Sequence, residues 1–243
     1  MSEPVIDLSG IGAVVFDTDG TVTDTARGHA AAWKHVFDGF LRGRSAPFDV
    51  REDYLRYVHG RPRLDGVREF LASRGLTAPE GEPGDGPDAP TVHGLGRAKE
   101  LLFMEQVERH GVAAFPAAVA LLHELRNRGA RTGGVSASLH GRRVVTAAGV
   151  LHLFDTLVDG GDAALMNLPG KPDPALPLEA ARRLGVPPVR TAVVESSPAG
   201  VEAGRKGGFA LVIALAPVSE GAGLAVRDLG ELVVRGRVLP LSP

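Results

Sequence analysis

Apolar and polar positions along this chain follow two periods. Ala13 to Phe16 is an unbroken apolar run of the kind a buried strand needs, and it ends at once in Asp17, Thr18, Asp19 and Gly20. From Ala26 the pattern changes. Ala26, Ala30, Trp33, Phe37 and Leu41 recur at helical spacing with Val36 and Phe40 beside them, which predicts an amphipathic helix capped by Asp24 or Thr25. From about 50 to 110 the spacing stays helical. Tyr54, Leu55 and Val58 predict one short helix, Val67, Phe70 and Leu71 another, and Leu101 to Glu108 a third running towards Gly111. The acidic stretch Pro79 to Pro90, PEGEPGDGPDAP, breaks both periods and predicts a loop.

Beyond residue 112 the two patterns alternate. Strands are predicted at Arg131–Val135, Leu153–Val158, Thr191–Val194 and Phe209–Leu215. Helices are predicted around Val119–Leu125, Val144–Ala148 and Glu179–Leu184, with a loop from Val158 to Gly170. Leu224, Val226, Leu229, Leu232 and Val233 predict a terminal helix or strand-helix segment over the sheet edge. Strand–helix alternation of this kind predicts an α/β fold, a Rossmann-like parallel-sheet core with a small helical insert after its first strand.

Composition narrows the classes of partner. The 243 residues carry 27 basic and 29 acidic side chains, a formal net charge of -2, with no terminal block of one sign. Nothing in that balance calls for nucleic acid or an anionic membrane. The absence of cysteine excludes disulfides and thiolate metal sites. The start does not read as a signal peptide and no run approaches 18 apolar residues, so a soluble cytoplasmic protein is expected.

Candidate chemistry gathers where predicted strands stop. Asp17 and Asp19 leave the first strand two residues apart, and with a turn at Gly20 both can approach one hard cation and a phosphate. In a parallel sheet this is where ligands bind, although Asp-Gly also marks an ordinary polar turn. Ser136 and Ser138 follow the strand at 131–135, where a hydroxyl can bond a phosphate oxygen or simply cap the next helix. Lys171 sits in GKPDP, stiffened by Pro172 and Pro174. Arg61 and Arg63 are expected in a loop, and Lys99 is expected at a helix start, where its charge opposes the helix dipole and an anionic ligand would account for it.

The string FDTDGTVTDT resembles the first motif of the haloacid dehalogenase-like superfamily of phosphoryl-transfer enzymes, and its continuation to Trp33 resembles the β-phosphoglucomutase-like subfamily. Ser136, the GKPDP lysine and VVESSPAG are similar to the second, third and fourth motifs. The resemblance implies a core of residues 1–25 and 113–243 and a helical cap domain of residues 26–112. It implies Asp17 as nucleophile, Asp19 as acid and base, Ser136 and Lys171 on the phosphoryl oxygens, and His29 as the residue that organises Asp19. Arg63, Lys99, Ser138 and His140 are implied as substrate contacts. Mg2+ is the implied cofactor, held by Asp17, Asp19, Glu195 and Ser196, the last standing where the family carries an aspartate. Ala98, Glu100, Leu139 and His140 also depart from the subfamily pattern.

The function so implied is Mg2+-dependent phosphoryl transfer on a small phosphorylated sugar through an aspartyl-phosphate, by a monomer or weak homo-oligomer. Three forms are open: a mutase, a sugar-phosphate phosphomonoesterase, and a binding module impaired by Ser196.

Overall fold

The computed structural model describes residues 4–238. The chain divides into two compact units, one made of the segments that end at Asp24 and begin at Ala113, the other of Thr25–Val112.

The first unit is built on a six-stranded parallel sheet. Its strands are β2 (Ala13–Asp17), β3 (Arg131–Val135), β4 (Thr156–Val158), β5 (Thr191–Glu195), β6 (Leu211–Leu215) and β7 (Leu224–Val226), in the spatial order β4-β3-β2-β5-β6-β7. β2 is buried at every position, which explains its unbroken apolar run. From β2 the chain builds outward to β3 and β4, then returns to the other side of β2 with β5. That reversal is the topological switch point of the sheet, and Asp17 ends β2 there while Glu195 ends β5.

β3 forms despite Gly133 and Gly134. A Cβ at Gly134 would stand 2.6 Å from Leu157 Cδ1, so close packing requires the missing side chain. Helices α4 (Pro116–Asn127), α5 (Gly141–Ala147), α6 (Gly160–Met166), α7 (Ala175–Leu184) and α8 (Pro198–Lys206) complete the unit. A short parallel pair, β1 (Val5–Asp7) with β8 (Val233–Arg235), joins the two ends of the chain.

The second unit is helical: α1 (Ala26–Leu41), a π-helical turn at Tyr54–Val58, α2 (Arg63–Ser73) and α3 (Val92–His110). Its core is aromatic, with Phe37 against Trp33 at 4.8 Å and against Phe70 at 4.2 Å between ring centroids.

Several expectations are corrected. The loop expected between Val158 and Gly170 contains α6, started by a capping box in which Asp159 accepts from Asp162 N and Asp162 accepts from Asp159 N. The strand expected from Leu153 begins only at Thr156, because Leu151–Leu153 is a 3-10 turn. The tail is two short strands, β7 and β8, around a 3-10 turn and holds no α-helix among the described residues. Arg63 opens α2 instead of lying in a loop. The helix bearing Lys99 starts at Val92, capped by Thr91, whose Oγ1 accepts from Gly94 N at 3.0 Å. Lys99 is thus two turns inside α3, and the dipole argument for it does not apply.

Candidate active site

Three strand ends of the first unit bring the predicted residues together. Asp17 is the last residue of β2 and is buried. The chain then turns through Gly20, whose φ of 77° suits glycine, and Thr23 N returns to Thr18 O at 3.0 Å. Asp19 is half-buried within this turn.

Ser136 follows β3, its amide bonded to Val158 O at 3.0 Å. Its hydroxyl donates to Asp19 Oδ2 at 2.7 Å and accepts from Ser138 N at 3.1 Å. The Ser138 hydroxyl accepts in turn from His140 N at 3.2 Å. Gly141 opens α5 against this group, since a Cβ there would lie 2.7 Å from Ser136 Cβ.

Lys171 arrives in a turn closed by Asp173 N to Gly170 O, just before α7. It is fully buried and bridges two carboxylates: Nζ lies 2.8 Å from Asp17 Oδ1, 2.7 Å from Glu195 Oε1 and 3.0 Å from Glu195 Oε2. Burial opposes its charge, but attraction to Asp17 and Glu195 outweighs burial and holds the ammonium above its usual range. Burial pushes Glu195 upward, with Lys171 opposing and Asp17 reinforcing. Both oxygens of Glu195 lie within hydrogen-bond distance of Lys171 Nζ.

Ser196 Oγ stands 3.4 Å from Asp17 Oδ2 and 3.2 Å from the Asp19 carbonyl oxygen. These spacings are close to the roughly 3.0 Å between neighbouring ligands of an octahedral shell with bonds near 2.1 Å. The donor set is all oxygen and suits a hard cation, with one carboxylate and two neutral donors. Among the described residues no group of three or more His, Asp or Glu side chains is arranged to hold a metal.

The other predicted residues form a separate group within Thr25–Val112. Lys99 Nζ is 2.7 Å from His29 Nδ1, and both are buried. With Lys99 as an ammonium, which has only donors, Nδ1 of His29 is the acceptor of this contact. His29 stacks on Phe103 at 3.7 Å, and Lys99 lies over Phe103 at 4.9 Å and Trp33 at 5.5 Å. Arg63 faces Glu100 at 3.9 Å.

Sequence reasoning missed Gly200. A Cβ there would lie 1.8 Å from Glu195 Oε2, so this glycine makes the room in which the carboxylate meets Lys171. The signal was the glycine two residues after Pro198 at the start of a helix. It also missed the buried Asp159, which accepts from Arg142 N at 3.0 Å and so ties α5 to the end of β4.

Fold and site together set two buried carboxylates, Asp17 and Glu195, at the switch point of a parallel α/β sheet, where enzymes of this class bind their ligands. A family model described as haloacid dehalogenase-like hydrolase matches residues 11–208. A β-phosphoglucomutase of Mycobacterium bovis is 37% identical over 238 residues, covering 91% of each chain. Hexitol phosphatase A of Escherichia coli is 28% identical over 84% of this chain and 82% of its own. A solved β-phosphoglucomutase from Clostridium difficile superposes with a TM-score of 0.72 at 20% identity, over 91% of this chain and 92% of that one, a likeness of fold. The chain belongs to the haloacid dehalogenase-like hydrolase family.

Proposed function

We propose that this enzyme transfers the phosphoryl group of a small sugar phosphate through a covalent intermediate on Asp17. The observation that carries the reading is the buried Lys171 bridge between Asp17 and Glu195, with Ser136 on Asp19 beside it. A fixed cation next to a carboxylate nucleophile offsets the charge that an incoming phosphate brings. The sugar is suggested by the β-phosphoglucomutase and the hexitol phosphatase among the relatives.

In this scheme a carboxylate oxygen of Asp17 forms the new bond to phosphorus as the bond to the sugar oxygen breaks. Asp19, oriented by Ser136, gives that oxygen a proton. In the second half Asp19 takes a proton from the acceptor, whose oxygen attacks phosphorus and restores the Asp17 carboxylate. Water as acceptor gives free phosphate, and a second sugar hydroxyl gives an isomerised sugar phosphate. Asp17, the main-chain carbonyl of Asp19 and the Ser196 hydroxyl would hold Mg2+, which when bound neutralises charge on the phosphoryl oxygens. Glu195 acts through Lys171, which it orients. We assign Arg63 and Lys99 to the sugar end of the substrate, Lys99 through its pairing with His29.

The test is incubation with β-glucose 1-phosphate, Mg2+ and a trace of glucose 1,6-bisphosphate, following glucose 6-phosphate and free phosphate together. Either product, lost in Asp17→Asn, supports the reading and says which acceptor is used. Neither product, here and across a panel of sugar phosphates, overturns it in favour of a binding module.

A further inference from the structure

Asp159 is a buried carboxylate of the first unit that the scheme above does not use. It follows β4, and its two oxygens serve different helices. Oδ1 accepts from Gly161 N at 2.9 Å and from Asp162 N at 3.1 Å, which caps α6. Oδ2 accepts from Arg142 N at 3.0 Å, in α5 and 17 positions back in the chain. Capping α6 needs only the first oxygen. The second joins α6 to α5, and Asp159 is itself held in place, since its amide donates to Asp162 Oδ2 at 3.2 Å while Asp162 Oδ1 pairs with Arg183 at 3.1 Å.

The segment pinned in this way carries Ser136. Ser138 O accepts from Gly141 N at 3.2 Å and from Gly160 N at 2.8 Å, so residues 136–141 are fastened to 159–161 by main-chain bonds as well. The fit leaves no slack. A Cβ at Gly160 would stand 2.8 Å from Ala137 O, and one at Gly141 2.8 Å from Asp159 Cβ. Fixing Ser138 also fixes a proton. Ser138 N donates to Ser136 Oγ at 3.1 Å, so the hydroxyl accepts on that side and turns its own proton to Asp19 Oδ2, 2.7 Å away. A run of bonds thus leads from Asp159 through the 138–142 backbone and Ser136 to Asp19.

We infer that Asp159 is a positioning residue for the acid–base step: by tying α5 to α6 through Oδ2 it places the Ser136 hydroxyl that aims Asp19 at the leaving oxygen. This rests on the proposed function, in which Asp19 moves the proton. Loss of the Arg142 bond loosens the aim of Asp19 and leaves Asp17, on β2, and its bond to Lys171 in place. The consequence depends on the leaving group. In the first step an Asp17 oxygen bonds to phosphorus, the bond from phosphorus to the sugar oxygen breaks, and that oxygen takes the bonding pair together with the Asp19 proton. A p-nitrophenolate takes the pair alone and needs no proton from Asp19.

The test is Asp159→Asn in the full chain. The amide keeps an oxygen on α6 and turns its NH2 towards Arg142 N, a donor against a donor. With enzyme in excess and Mg2+ present, first-turnover release of sugar from β-glucose 1-phosphate should slow roughly 10- to 100-fold, and release of p-nitrophenol from p-nitrophenyl phosphate by no more than about threefold. The double variant with Ser136→Ala should be no slower than Ser136→Ala alone, because both changes act on one chain of bonds. Asp159→Ser keeps a cap for α6 without the second oxygen and serves if Asp159→Asn fails to fold. An unslowed sugar phosphate, equal slowing of both substrates, or losses that multiply in the double variant overturns the inference and leaves the proposed function standing. If the parent turns over neither substrate, the proposed function falls, and amide exchange then tests Asp159 by itself. Ser138 N should exchange roughly tenfold faster in Asp159→Asn, and an unmoved rate overturns its hold on residues 136–141.

Discussion

Replacing Gly200 by alanine probes the carboxylate–lysine cluster with a single methyl group. Gly200 lies in the first turn of α8, and the added Cβ would stand 1.8 Å from Oε2 and 2.3 Å from Cδ of Glu195. Carbon–oxygen contact is comfortable near ~3.4 Å, so the carboxylate must retreat by roughly 1.5 Å. Lys171 resists that movement, holding the two oxygens at 2.7 and 3.0 Å in a fully buried setting. Losing one charge-assisted hydrogen bond costs about 1.5–3 kcal/mol. Alanine returns at most ~1 kcal/mol of helix propensity. The net expectation is a loss of about 1–2 kcal/mol. Gly39 in α1 is the control, because nothing lies within 4 Å of its added Cβ. Gly39→Ala should gain ~0.5–1 kcal/mol. Urea titrations followed by far-UV circular dichroism measure both variants, and the buried Trp33, the single tryptophan, adds a fluorescence signal for the unit that holds Gly39. A Gly200→Ala protein as stable as its parent, with Gly39→Ala behaving as expected, would refute the placement of Glu195.

Three further outcomes are expected. Lys171→Met leaves Asp17 and Glu195 buried without their cation, at a cost of about 3–5 kcal/mol at neutral pH. Burial already raises Glu195 to about 8, and removing Lys171 raises it further; a raised carboxyl stabilises below its unfolded value and loses that contribution as pH rises, so parent and variant lose stability in parallel up to about pH 8 and urea titrations should show the deficit growing only above it. Glu179 is held down at about 2, first by its hydrogen bond to Arg182 and then by Arg183, against burial, so its contribution is full above the ordinary carboxylate range and vanishes as pH falls through about 2. Arg182 is 69% exposed and solvent screens the pair, so Glu179→Gln should cost only about 1 kcal/mol near pH 7 and nothing near pH 2 in the same titrations. Ser196→Asp adds a carboxylate beside Asp17 and should tighten Mg2+ roughly tenfold in a calorimetric titration without substrate; no gain would place Ser196 away from the ion.

The core strands were legible because burial on both faces leaves an apolar run with no polar interruption, as in Ala13–Phe16. α6 was not legible, because Leu165 and Met166 face solvent and supply no helical period; its trace was local, the acidic pair Asp159 and Asp162 three apart. The first turns of α3 were hidden by Gly94 and Gly96. A Cβ at Gly94 would lie 2.2 Å from Ala89 O, so the glycine answers a tertiary contact that no local pattern announces. β1 and β8, three residues each, are too short to show a period. At the site, carboxylates and hydroxyls at strand ends could be read from sequence, whereas the Lys171–Asp17 contact spans 154 positions and was suggested only by resemblance. The room that Gly200 leaves for Glu195 had no expectation at all.

The central claim, covalent transfer through Asp17, is tested most directly by looking for the intermediate. The enzyme is mixed with Mg2+ and β-glucose 1-phosphate, quenched in acid within milliseconds to seconds, and digested for mass spectrometry. The account predicts one acid-stable, base-labile phosphoryl group on the peptide that contains Asp17, absent in Asp17→Asn. Product formation with no phosphoryl group on that peptide, or turnover undiminished in Asp17→Asn, would contradict it.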